Sequence, residues 1–157
     1  MKTIFIQKNR GFVILFSVTV SGILLAIALG VLNVAFKEVR FSTSAKDAND
    51  AFFAADTGAE CALKYDKFAS SLNAFTGTAT MNCGNSNRVV TPLTASSWSF
   101  IVSAIGTSGE ACAKVSVTKS GNTTTVVSKG YNVGDSVCNS SNPNRVEREL
   151  KTTYSTP

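Results

Sequence analysis

Residues 10–36 read RGFVILFSVTVSGILLAIALGVLNVAF, and the reading of this stretch decides how the rest of the chain is organised. From Phe12 to Phe36 there are 25 residues without a charge, more than the roughly 20 that carry a helix across a hydrocarbon layer. The stretch is therefore read as a transmembrane helix. Lys8, Arg10 and Gly11 stand just before it, and the residues just after it hold no Pro to stop a helix, so the span is expected to be the first half of something longer. Ser17 and Ser21 are one turn apart on a shared face, and Gly22 and Gly30 permit close approach. Such residues mark helix contacts in lipid, but they also occur in apolar helices that have no such contact.

Outward from the span, the helical pattern continues. Ala45, Ala48, Phe52, Ala55, Ala59 and Ala62 recur at spacings of three and four, which predicts an amphipathic second half over residues 37–66. Glu60 and Lys64 add an acid-before-base pair one turn apart. A helix from Phe12 to Asp66 is about 80 Å long at 1.5 Å per residue, so only its first half, 12–36, can lie in a membrane. From about Phe68 the composition turns to Ser, Thr, Asn and Gly with β-branched residues, and the period becomes two. Trp98, Phe100, Val102 and Ala104 should face a core, as should Ala111, Ala113, Val115 and Val117. Ser120-Gly121-Asn122 predicts a hairpin turn into a strand from Thr123 to Lys129. Val146 to Tyr154 reads as a last strand with Val146, Leu150 and Tyr154 on one side, and 82–87 and 139–144 read as loops. The expected fold class is α+β: a long N-terminal helix packed through its second half on a small antiparallel sheet, with 37–66 and 67–157 forming one fold.

Composition excludes several functions. The net charge is +5, but Lys2, Lys8 and Arg10 precede the span, and from Phe12 onward 12 Lys and Arg face 10 Asp and Glu with no run of one sign. No nucleic-acid partner is expected. There is no histidine, which removes the commonest general base and metal ligand, so neither an enzyme nor a bound cofactor or metal is expected. Asp56 and Glu60 share a helical face and could take a cation or a partner's Arg, although acids on a solvated face usually have no specific role. Cys61, Cys83, Cys112 and Cys138 all follow the span and contain no Cys-x-x-Cys pair, which reads as two disulfides in an oxidising compartment. Three connectivities exist. The one adopted is Cys61 with Cys83, tying the helix end to the next loop, and Cys112 with Cys138, tying a strand to the last loop. Lys37, Arg40 and Lys46 offset the positive charges before the span, so it is the cysteines that put the C-terminal domain outside the cytoplasm.

Residues 1–11 read as a leader with three fates: retention as an anchor, cleavage after Ala26-Ile27-Ala28, or cleavage at Gly11. The third is favoured, because cleavage after Ala28 would leave Leu29 to Phe36 as an apolar N-terminus. Lys8-Asn9-Arg10-Gly11 followed by Phe12 and a long apolar helix resembles the leader and cleavage site of type IV prepilins. The segment Ala54-Ala55-Asp56-Thr57-Gly58-Ala59-Glu60 is similar to one in minor pilins of the PilX type and in K-type minor pseudopilins of type II secretion. Together these matches cover about the first 66 residues. The resemblance implies cutting after Gly11 by a prepilin peptidase and methylation of Phe12. It also implies an inner-membrane stage, then packing of the helix against other pilin subunits above an assembly platform, in a pilus or pseudopilus at the cell surface. The chain departs from the family at the fifth mature position, where major pilins carry Glu and this chain has Phe16. That acid neutralises the free amine of an adjacent subunit in apolar surroundings, and a subunit at the leading tip has no neighbour ahead. The resemblance with this departure implies an initiating or capping minor subunit. The alternative is a signal-anchored, adhesin-like binding protein that never joins a filament.

Overall fold

The computed structural model describes residues 10–68, 74–77, 79–84 and 86–155. The first nine leader residues lie outside these. Helix α1 spans Arg10–Leu63 and ends in a π-helical turn over Lys64–Phe68. The chain divides into two compact units, with the boundary between Thr43 and Ser44.

In the first unit, the large apolar side chains of α1 from Phe12 to Phe41 are exposed. Among the described residues, α1 is the one helix long and apolar enough to cross a membrane. Its hydroxyls are satisfied internally: Ser17 Oγ donates to Ile14 O and Thr19 Oγ1 to Phe16 O, each at 2.9 Å, and Ser21 Oγ donates to Ser17 O. No hydroxyl of the span therefore presents a free donor to lipid, where an unpaired one is costly. Among the described residues, a Cβ on Gly22 or Gly30 would meet nothing within 4 Å apart from the helix's own backbone.

The second unit, Ser44–Pro157, layers the C-terminal part of α1 on a six-stranded sheet. The strands are β1 (Ala79–Cys83), β2 (Ser86–Thr94), β3 (Ser97–Ile105), β4 (Ala111–Ser120), β5 (Thr123–Tyr131) and β6 (Glu147–Ser155). Each pairs antiparallel with the next, so the spatial order is the sequence order. Two-residue turns set three of the hairpins, one of them between Thr94 and Ser97. Cys83 faces Ser86 across a turn that begins with Gly84 at φ 61°, and Ser120 faces Thr123 across one that begins with Gly121 at φ 56°, the backbone that primed hairpin turns require.

Packing between helix and sheet rests on small residues. Ala51, Ala54, Ala55, Gly58, Ala59, Cys61 and Ala62 are buried. A Cβ on Gly58 would lie 2.5 Å from Ser128 Oγ and 2.7 Å from Val115 Cγ2, and one on Gly130 would overlap the Ala51 carbonyl and the Ala55 nitrogen. This close approach corrects the expected stripe. Phe52 is 44% exposed and stacks edge-on against exposed Phe53, and Ala45 is also exposed, because a phenyl ring has no room where backbones nearly touch. Beyond the alanine stripe, Phe75 fills the core with Trp98 and Phe100, its ring centroid 6.2 and 6.3 Å from theirs, and Met81, Val90, Val102, Val117 and Val126 complete it.

Two further expectations are corrected. Ala104 is exposed, with φ 59°, because the β3–β4 register shifts between Val102 and Ile105 and the bulge turns it outward. The segment 82–87 is a hairpin tip rather than a loop, with Asn82 and Cys83 in β1 and Ser86 and Asn87 in β2. Neither β1 nor β2 is anticipated by the sequence reading.

Candidate functional site

Gly11 and Phe12 lie in the first turn of α1, and Phe16 one turn further on the same face. Phe12 is 76% and Phe16 60% exposed. Lys8 and Asn9 of the leader motif fall outside the described residues. The cysteines pair as Cys61–Cys83, joining the end of α1 to β1, and Cys112–Cys138, joining β4 to the segment before β6. The first bridge borders a cleft of about 300 Å³ lined by Thr57, Glu60, Lys64, Asn82 and Gly84. Asp56 is half-buried and does not line this cleft with Glu60. Lys64 Nζ lies 5.7 Å from the Tyr65 ring centroid.

The second bridge anchors the connection between β5 and β6. Asp135 Oδ1 accepts from the backbone N–H of Val137 at 3.0 Å and of Asn139 at 2.8 Å. Lys114 Nζ donates to Asn139 Oδ1 at 2.8 Å. Arg145 lies over the Tyr131 ring, 3.8 Å from its centroid, and donates to Cys138 O at 2.7 Å. Beside them Lys129 Nζ pairs with Glu147 at 3.2 Å and Glu149 at 3.5 Å. A hydrogen bond from Tyr131 holds the Glu147 carboxyl below its ordinary range, and burial pushes the Tyr131 phenol up. The connection around Cys138 is thus internally cross-braced.

A third constellation escaped the sequence reading. The register aligns Lys119, Thr124 and Tyr154 in one row across β4, β5 and β6, and the π-helical turn sets Asp66 over that row. Lys119 Nζ is 2.5 Å from Asp66 Oδ1, and Tyr154 Oη donates to Asp66 Oδ2 at 2.7 Å. The Asp66 side chain is fully buried. Burial, then the hydrogen bond to Asp66, raises the Tyr154 phenol well above its ordinary value. One signal was present: Lys119 continues the core-facing parity of Ala113, Val115 and Val117, a position at which a cation needs a buried partner.

No family model, described protein or solved structure matches this chain. Function therefore rests on its own residues. Among the described residues, no group of three or more Asp, Glu, Cys or His could hold a metal ion.

Proposed function

We propose that the chain is a minor pilin-like structural subunit that initiates or caps a type IV pilus or a type II secretion pseudopilus. The observation that carries this reading is helix α1. It joins an uncharged span, preceded by Arg10-Gly11, to a second part packed on a small disulfide-bearing sheet. Such a helix has two uses. Its apolar half anchors the processed subunit in the inner membrane and later packs beside the helices of other pilin subunits, with the hydroxyls of Ser17, Thr19 and Ser21 bonded within the helix. Prepilin peptidase would cut after Gly11 and an assembly platform would move the subunit outward. Phe16, where a shaft subunit would carry an acid, favours the tip.

The mature N-terminus tests this. Mass spectrometry of the chain purified from membranes should find a start at Phe12, methylated, only when a prepilin peptidase is present. Retention of Met1 would instead make the protein a signal-anchored, adhesin-like binder, and a start at Leu29 would make it a secreted one. Deletion should lower the number of filaments. Unchanged filament number and unchanged secretion would remove the initiating role.

A further inference from the structure

We propose that the free edge of β6 is a self-pairing surface, at which a second copy of this chain adds its own β6 antiparallel, about a two-fold axis through Leu150. The two edges of the sheet are treated differently. In β1, the hairpin pair of Cys83 with Ser86 commits the backbones of Cys83, Met81 and Ala79 to β2 and turns that of Asn82 outward. Those outward groups are capped: Asn82 N–H donates to Tyr65 Oη at 2.9 Å, and Tyr65 Oη donates to Asn82 O at 3.3 Å. In β6 the outward groups meet no partner among the described residues. The hairpin pair of Ser120 with Thr123 commits the odd-numbered residues of β5 to β4 and the even-numbered ones to β6. Asn132 N–H donating to Val146 O at 3.3 Å has the same parity. Glu147, Glu149, Lys151, Thr153 and Ser155 therefore direct their N–H and C=O groups to the open edge, a template for another strand.

Charge selects both the occupant and the register. Antiparallel strands exchange bonds only where outward residues face outward residues, so odd-numbered positions must oppose odd-numbered ones. With Leu150 at the axis, Glu149 opposes Lys151 of the second copy, Lys151 opposes its Glu149, and Glu147 opposes its Thr153. Moving the axis to Glu149 or to Lys151 sets two like charges directly opposite each other, which is destabilising. Lys151 has no ion-pair partner among the described residues, and Glu149 lies 3.5 Å from Lys129 of its own chain, so pairing supplies the missing partner and places Glu149 between two cations. Charged residues usually blunt a sheet edge; here their order permits one self-complementary register. Half-buried Leu150 meets its copy on the face that carries Tyr154 and α1, in a non-hydrogen-bonded pair whose Cα atoms approach to about 4.5 Å. The axis stands perpendicular to the sheet, so the α1 segments of the two copies, from Ser44 onward, run antiparallel. Copies held in one membrane point the same way, and the pair therefore joins chains presented from two facing membranes. None of this depends on the filament reading.

The test uses the full chain purified in detergent, with Trp98 fluorescence reporting a folded unit in every variant. On mild oxidation Leu150→Cys should form a disulfide-linked dimer, because the paired Cα separation lies within disulfide reach. Thr153→Cys, which this register places about 20 Å from its copy, should not. In sedimentation velocity, Glu149→Lys and Lys151→Glu should each weaken self-association about tenfold. Mixed together, the two variants should associate again, because each carries the charges that the other lacks. A monomeric wild type, equal cross-linking at positions 150 and 153, or a dimer that neither charge reversal weakens would overturn the proposal, the last assigning association to the apolar span. Proteoliposomes bearing Glu149→Lys should cluster with those bearing Lys151→Glu and not with themselves. Dimers in detergent without such clustering would overturn the assignment to facing membranes.

Discussion

Gly130→Ala places one methyl group where the structure has backbone. The new Cβ would overlap the Ala51 carbonyl oxygen and the Ala55 nitrogen and lie 2.8 Å from Ala55 Cα. None of these is the end of a flexible side chain. Ala51, Ala54 and Ala55 are fully buried, so the clash is relieved only by lifting α1 off β5, which also opens the contacts of Gly58 with Ser128 and Val115. Overpacking a core costs about 1–3 kcal/mol, and a main-chain obstacle puts this substitution at the upper end, ~3 kcal/mol. For a unit of this size the melting temperature falls by roughly 4 °C per kcal/mol, or about 12 °C in all. Trp98, 6% exposed in the core, reports that transition by fluorescence in the detergent-solubilised chain, free of the helical signal from the apolar span. Gly22→Ala is the control: beyond the helix's own backbone, its Cβ would meet nothing among the described residues within 4 Å, and the melting temperature should not fall. A Gly130→Ala melt within about 2 °C of wild type would refute the close-approach reasoning.

Three further outcomes are expected. Ala104→Gly should raise stability by about 0.5–1 kcal/mol, because a non-glycine residue at φ 59° carries a left-handed strain of ~1–2 kcal/mol that exceeds the entropic cost of glycine; denaturant titration would show it. Replacing Cys61 and Cys83 together by Ala opens a link across a sequence separation of 22 and should cost about 3 kcal/mol in the chain-entropy model. A midpoint shift below ~1 kcal/mol in urea would mean that the helix end stays seated without the bridge. Tyr154, whose phenol is raised in the folded state from an ordinary 10.0, binds its proton more tightly folded than unfolded. Its contribution is therefore fully present below about pH 10 and lost as pH rises from there toward the folded value. Tyr154→Phe should flatten the fall in melting temperature above pH 10, and an identical alkaline profile would remove Tyr154 from that role.

The parts of the fold that were legible in the sequence are those where one physical signal acts alone. Twenty-five uncharged residues need no tertiary context to read as a span. The alternation of Trp98, Phe100 and Val102 places them in a core because a strand offers two faces and only one is dry. Where two signals competed, the reading slipped. Val89 and Leu93 are exposed on β2 at 60% and 61%, with Pro92 between Leu93 and Thr91, so this strand shows neither clean alternation nor the absence of Pro that would identify it. The bulge that turns Ala104 outward depends on register with β4, which is a property of two strands together.

The helix face misled for a more general reason. Hydrophobic periodicity ranks Phe above Ala and Gly, so it centred the buried stripe near Phe52, whereas the buried face carries the smallest side chains. What selects that face is the approach distance between α1 and β5, and this is written partly in another element, at Gly130 and Ser128. Neither residue looks like a core position by itself. A small residue in a strand becomes informative only when a run of Ala and Gly elsewhere supplies its complement, as Ala51, Ala54, Ala55 and Gly58 do. The same closeness accounts for Asp66. A helix seated this tightly carries its last turn down onto the row of Lys119, Thr124 and Tyr154, and burying a carboxylate there is tolerable because a cation and a phenol already occupy the sheet beneath it. The polar constellation therefore follows from the glycine contact: lifting the helix in Gly130→Ala should also loosen the hold of Lys119 and Tyr154 on Asp66.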